Sequence, residues 1–534
     1  MIWLRLRPAR KVEFRKQRVV GRSMKELLGI LLAACMACVG AAPAAELGVL
    51  VPELASGKLE QKADPHGAMV PVVTRLRSGP LYEQLQKEAV QGFTATLLGL
   101  DEIAQHKAGA VTPSPTWLYL SAEEGGFARR GFWLREKHDG RDRRESRDRP
   151  ERGEAREPDS ERFVDEPFVD LVVDKETVAN GAFEEIFAHE LGHVFLRRLL
   201  PKLPQGYSRT PHGSLAVTDN PTAFDEGFAI HFQGLARRLT HNAALRNQDL
   251  GLDSKPFVGY WLSNLDRASR VDGMRRNLFV QAQITLPGSG DPVARRDQST
   301  LFDTARLKNG NQMMASEGVL ATIFYRWLVP GSAEQAAVLQ RYSAVFDALA
   351  VLNKQPRLDP EAPLILDLIE ARRSLDAKEG ARVLALFIET TYGATADASL
   401  TPSFEALALH GRSGDMAAFV GDLKTARAAL VRLQETVARS PAMARAALAP
   451  GIWLFKERPK ALAVNLNTAE REHLMQLPGI DGATADRALE SRRTQGPFKS
   501  LTDFTKRSGV NAATAAQLTD LFNAMTKAGT YARE

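Results

Sequence analysis

His189-Glu190-Leu191-Gly192-His193 sets two imidazoles four residues apart, with a carboxylate beside the first. On an α-helix, positions i and i+4 lie one above the other, so both rings can reach one divalent ion from the same side. Glu190 falls about 100° around the helix from His189, which suits it to a water on that ion better than to the ion itself. Residues of these types at this spacing could carry out metal-assisted hydrolysis. Zinc lowers the pKa of a water it holds to roughly 7, a carboxylate takes the proton as hydroxide attacks the carbonyl, and the same carboxylate passes it to the leaving amine.

The flanks predict the helix that such a pair needs. Asn180 is expected to cap its N-terminus, Glu184 and Glu185 fall in the first turns, and Pro201 marks its far end. Phe183, Ile186, Phe187, Val194 and Phe195 give it a face to bury.

A catalytic zinc takes three protein ligands and leaves the fourth position to water. The metzincin extension requires Gly and His three and six residues after the second histidine, where this chain has Leu196 and Leu199. Downstream, Asn220-Pro221 reads as an N-cap followed by proline at the first helical position, which puts Glu226 in the second turn of an otherwise apolar stretch. A buried carboxylate needs a partner, and a dication is a strong one. Asp225, His212 and His231 compete for the third place, although His231 lies roughly 140° around the helix from Glu226.

Together the two segments resemble the gluzincin branch of zinc metallopeptidases, in which H-E-x-x-H on one helix is followed by a Glu on the next, written E-x-x-A or E-G-x-A. Glu226-Gly227-Phe228-Ala229 has that form. The resemblance implies that His189, His193 and Glu226 hold one Zn²⁺ per chain and that Glu190 is the base and proton shuttle. It also implies a protein or peptide substrate. Asp225 is suited to accept from the free N–H of a ligand histidine, fixing its ring. The oxyanion donor is open among Tyr207, His212, His231 and Tyr325.

At 534 residues there is chain for two or three domains. The net charge of +6 comes from 70 basic against 64 acidic residues, and part of the excess lies among the first 22 residues, so the charge argues little for nucleic acid. From Met24-Lys25, an apolar run and then small residues lead to Ala42-Pro43-Ala44. That is the form of an export signal, too short for a comfortable transmembrane span. The expected location is the bacterial periplasm, with no membrane span in the mature chain. The alternative is a lipoprotein, because Leu32-Ala33-Ala34-Cys35 resembles a lipobox. Both cysteines, Cys35 and Cys38, fall inside the signal, which leaves the mature chain only imidazole and carboxylate ligands.

The expected fold class is α+β: a zincin-like domain over 46–460 with a small β-sheet and a large helical lobe, behind an N-terminal extension and signal at 1–45. Trp117–Leu120, Gly131–Leu134 and Phe168–Val173 are predicted strands ahead of the zinc helix. Residues 136–166, rich in Arg, Asp and Glu, are expected to be a disordered, solvated insert. Apolar periodicity predicts helices over Ser316–Leu328, Glu334–Ala350, Glu361–Arg372 and Asp415–Arg439.

A separate module is expected over 461–534. Asn465-Leu466-Asn467-Thr468-Ala469, then Leu477-Pro478-Gly479-Ile480, then Gly496-Pro497-Phe498-Lys499-Ser500 resemble the helix-hairpin-helix domain of ComEA-type competence proteins, with a degenerate second hairpin around Ser508-Gly509-Val510-Asn511. Such hairpins present backbone N–H groups to a DNA phosphate. Gly479, Gly482, Arg487 and Lys499 are the candidate DNA-binding residues, with Arg492 and Arg493 adding to a local basic patch. Asp481, however, stands where the motif's second glycine would be, and residues 464–534 hold nine basic against eight acidic residues. A weak non-specific DNA contact and a protein partner are both open for this module, and packing or protein interaction is favoured.

The leading expectation is therefore an exported zinc metallopeptidase with a helix-hairpin-helix tail. The alternatives are an exported DNA-binding protein and a non-catalytic zinc scaffold; Glu190 argues against the scaffold, which needs no base.

Overall fold

The structure, a computed structural model, describes residues 46–123, 125–136, 160–206, 213–250, 273–275, 277–283, 302–449, 451–455 and 463–527. The export signal with Cys35, most of the charged insert, Tyr207 and His212 lie outside them. The architecture is mixed α+β and mostly helical. Among the described residues, no helix is long and apolar enough to cross a membrane.

A six-stranded sheet precedes the H-E-x-x-H segment: β1 (Leu47–Pro52), β2 (Gln61–Ala63), β3 (Met69–Arg75), β4 (Thr116–Leu120), β5 (Gly126–Glu136) and β6 (Ser160–Leu171). Their order is β1-β4-β6-β5-β3-β2, and β1 also pairs with β3, so five of them close into a ring. Each of the five sends apolar side chains into one small core: Leu50, Val73, Trp117, Tyr119, Phe132, Leu134, Val164 and Phe168. The period-two alternation turns Leu47, Val49, Leu118, Val169 and Leu171 the other way, into the main core with the helices.

Two differences from the sequence reading arise here. β6 begins at Ser160 and pairs with β5 from Glu136, so residues 160–166 of the expected insert belong to a strand. The sheet ring also depends on the β1–β3 and β3–β5 pairings, which no local pattern announces.

Two helices then carry the candidate chemistry: α1 (Ala182–Leu199) and α2 (Asn220–Leu239). The N-cap of α1 is Gly181, not Asn180; the Asn180 side chain still accepts from the N–H of Ala182, from one position earlier. The N-cap of α2 is Asp219, whose side chain accepts from Thr222 N–H at 2.8 Å, so Asn220 is the first helical residue and Pro221 the second. Proline is tolerated there because that N–H has no intrahelical partner either.

The remaining lobe is helical: α3 (Glu317–Leu328), α4 (Gln335–Asn353), α5 (Leu364–Leu375), α6 (Ala377–Thr390), α7 (Thr401–Ser413) and α8 (Met416–Arg439). α2 is held between α1 and α3 by two close approaches. A Cβ on Gly192 would come within 2.9 Å of Ala229 Cα, and one on Gly227 within 2.6 Å of Leu320 Cβ. Glycine at these two places lets the helix backbones draw together.

The C-terminal unit has its own core, built from Leu454, Leu466, Leu474, Leu477, Ile480, Phe498, Phe504 and Leu518 among others. It starts ahead of residue 461, because Trp453–Phe455 pairs with Ala463–Asn465 and Ile452 joins the same core. Its helices are α9 (Arg471–Leu474), α10 (Gly482–Gln495), α11 (Leu501–Ser508) and α12 (Ala512–Lys527).

Candidate metal centre

His189 and His193 stand one turn apart on α1, with ring centroids 5.0 Å apart. The close crossing of α1 and α2 sets Glu226 opposite them. Glu226 Oε2 lies 3.5 Å from His189 Nε2 and 3.7 Å from His193 Nε2. One donor atom from each of the three residues falls within 4.8 Å of the others. Ligands on a tetrahedral zinc, at about 2.0–2.1 Å from the ion, stand about 3.3 Å from one another. The side chains therefore fit a zinc ion with small adjustments of rotamer.

The surroundings suit a cation. Glu190 Oε1 lies 4.0 Å from His189 Nε2, and Asp225 Oδ1 lies 2.7 Å from His193 Nδ1. Three carboxylates thus face two imidazoles, an arrangement that a dication balances. Burial opposes a charged His193, but Asp225, by charge and hydrogen bond, with help from Glu226 and Glu190, raises its pKa to about 9. Burial also pushes the carboxyl of Glu190 up, against the pull of the two histidines. His189 Nδ1 is buried with no hydrogen-bond partner among the described residues.

Glu190 sits under the first residue of β5. A Cβ on Gly126 would come within 2.7 Å of its Oε1, so the strand reaches the base only because Gly126 has no side chain. From the same stripe of α1, the guanidinium of Arg197 donates to the carbonyl of Ala128 on that strand. A cleft of about 560 Å³ opens beside the cluster, lined by Arg130, Arg197, Leu203, Pro221, Asp225 and Glu226 among others. Sequence reasoning missed Gly126 and Arg197. Arg197 had a signal in its position four residues after His193, whereas the contact of Gly126 spans 64 residues of chain.

Among the described competing candidates, His231 and Tyr325 lie elsewhere. His231 is fully buried, with Nε2 2.9 Å from Tyr342 Oη and Nδ1 against the Phe228 carbonyl, and burial lowers its pKa to about 3. It is a core histidine, neither a third ligand nor an oxyanion donor. Tyr325 packs against Gly234, about 12 Å along α2 from Glu226, so it is also removed from the oxyanion role. Asp225 points to His193.

The C-terminal candidates are more dispersed. Gly479 takes φ +71° in the first hairpin turn, and Gly482 opens α10 behind Asp481, whose side chain accepts from Thr484 N–H. The Thr484 hydrogen bonds hold the Asp481 carboxyl below its ordinary pKa, so an anion caps this helix. Arg487 donates to the Ser508 carbonyl and thereby ties the two hairpins together. Lys499 is exposed ahead of α11. The expected basic patch loses Arg492, which is buried and donates to the carbonyls of Leu466 and Ala469; Arg493 is paired with Glu490.

Residues 460–523 match the family model of the helix-hairpin-helix motif. No curated protein and no solved structure matches the chain.

Proposed function

We propose that this chain is an exported, zinc-dependent metallopeptidase of gluzincin type. The observation that carries the reading is the convergence of His189, His193 and Glu226 from two helices, with Glu190 beside them. Residues 46–460 would form a zincin-like domain, and the periplasm is the proposed location.

A zinc ion held by the three ligands would supply Lewis-acid activation of a water and of the scissile carbonyl. Asp225 accepts from His193 Nδ1–H, which fixes the tautomer and leaves Nε2 as the donor atom. Glu190 carries the proton between the attacking water and the leaving amine. Burial raises its pKa, which brings it closer to the neutral range where a carboxyl group can both accept and return a proton. The close approach of Gly126 covers one side of Glu190.

The test is peptide-library hydrolysis by the wild type and Glu190→Gln, with metal analysis of both. The reading predicts one zinc per chain in each and turnover only by the wild type. Equal turnover by the variant would reject it.

A second reading, an exported DNA-binding protein, is supported by the motif match over 460–523 and by the exposed turn at Gly479. It predicts salt-sensitive retention of DNA by the full chain. Asp481 at the head of α10 and the engaged arginines weigh against it.

A further inference from the structure

We propose that the C-terminal unit is a brace for the helix that carries Glu226, and that Gln312 is the positioning residue through which it acts. The first link is the Asn465–Ala469 turn. Asn467 bonds the backbone of Phe498 with both ends of its amide, and Arg492 holds the carbonyls of Leu466 and Ala469, so the turn is fixed from behind. Its outward groups grip the helical lobe. Gln312, 5 % exposed, donates to the Thr468 carbonyl at 3.0 Å and to Glu470 Oε1 at 2.7 Å, and Asn309 donates to the Asn467 carbonyl at 3.0 Å. Asn309 and Gln312 are also the two halves of a capping box on the short helix Gly310–Met314.

The second link runs from that helix to α2. Buried Lys308 donates to the Leu215 carbonyl at 3.0 Å and to Ser316 Oγ at 2.6 Å, and Ser316 Oγ donates to the Ala216 carbonyl. Thr218 N–H donates to the Ala315 carbonyl, beside a bridge between Val217 and Ser316. Residues 214–218 lead directly into Asp219, the cap of α2. A parallel route goes from Trp453 Nε1 to Glu361 Oε2 at 3.0 Å, while the Glu361 carbonyl accepts from Asn220 at 2.8 Å. Both routes end on the first turn of α2, about 9 Å along the axis from Glu226. The motif's polar turn is therefore spent inside the chain, which gives the tail a role that needs no nucleic acid.

The metal arm of the test rests on the function proposed above; the exchange arm does not. In the full mature chain, Gln312→Ala is compared with wild type and with Val383→Ala, a core change in α6 that removes none of these hydrogen bonds, at matched losses of thermal midpoint. The proposal predicts amide exchange across Asp219–Glu226 faster by about tenfold in Gln312→Ala alone. It also predicts zinc bound about tenfold more weakly, measured against a chelator. Gln312→Asn, which keeps a shorter amide donor, should recover part of both effects. Exchange and zinc affinity within twofold of wild type in Gln312→Ala would overturn the brace. If Gln312→Ala does not fold, Trp453→Phe, which removes the indole N–H that bonds Glu361, puts the brace to the same exchange comparison through the parallel route. A wild type that holds no zinc rejects the metal reading, and the exchange result still decides the brace.

Discussion

Asp225 Oδ1 lies 2.7 Å from His193 Nδ1, on the side of the ring away from Glu226, whose Oε2 is 3.7 Å from Nε2. The carboxylate therefore sets which nitrogen faces the cluster. Loss of such an outer partner typically weakens a metal site 10- to 100-fold. Asp225→Ala should raise the zinc dissociation constant by about that factor in a chelator competition. An unchanged constant would remove Asp225 from the site.

Gly192 packs against the backbone of α2 at Ala229, so a methyl group there must push the two ligand-bearing helices apart. Overpacking of this kind costs about 1–3 kcal/mol. Gly192→Ala should lower the urea midpoint accordingly and weaken zinc binding by more than tenfold, because the shift falls between the histidines and Glu226. Stability loss without a change in zinc affinity would show that the crossing does not set the site.

The same two helices are tied at their other ends by Arg237 and Glu185, a bidentate pair with 0 % and 1 % side-chain exposure. Removing one partner strands a buried charge, at a cost of about 3–5 kcal/mol. Arg237→Ala should lose that much in equilibrium unfolding, and a loss below about 1 kcal/mol would contradict the assignment.

His231 is held neutral by burial, its pKa lowered from 6.5 to about 3. The unfolded chain takes up this proton first, so stability is lost as pH falls from 6.5 toward 3 and is unaffected above that window. Between pH 7 and pH 5 the contribution is about 2 kcal/mol. Urea unfolding of the wild type should show that loss, and His231→Phe should show correspondingly less. Equal slopes for the two proteins would place the proton elsewhere.

Elements with a strong local period were legible. The strands around Trp117 and Phe168 and the helices near 317, 335 and 416 follow from alternation and from the 3.6-residue repeat. The cap positions were misplaced by one residue. In Asp219-Asn220-Pro221 two good capping residues stand together, and the winner is the one whose side chain reaches Thr222 N–H. Phe163 and Val164 are adjacent and face opposite sides of the strand, so residues 160–166 show no apolar alternation among their charges. His189, Glu190, His193 and Glu226 could be grouped from the sequence because H-E-x-x-H and the following Glu lie on helices. The approach of Gly126 to Glu190 and the grip of Gln312 on Glu470 were not, since each joins residues far apart in the chain.

The central claim is one ion held by two imidazoles and a carboxylate with a position left for water. Zinc-edge X-ray absorption on the purified mature chain, with Glu226→Ala alongside, measures it directly. The account predicts about one zinc per chain in a four-coordinate shell of light atoms at about 2.0–2.1 Å that includes two imidazoles, and a lost or weakened signal in the variant. A wild-type chain that binds no zinc, or a shell that Glu226→Ala leaves unchanged, would contradict it.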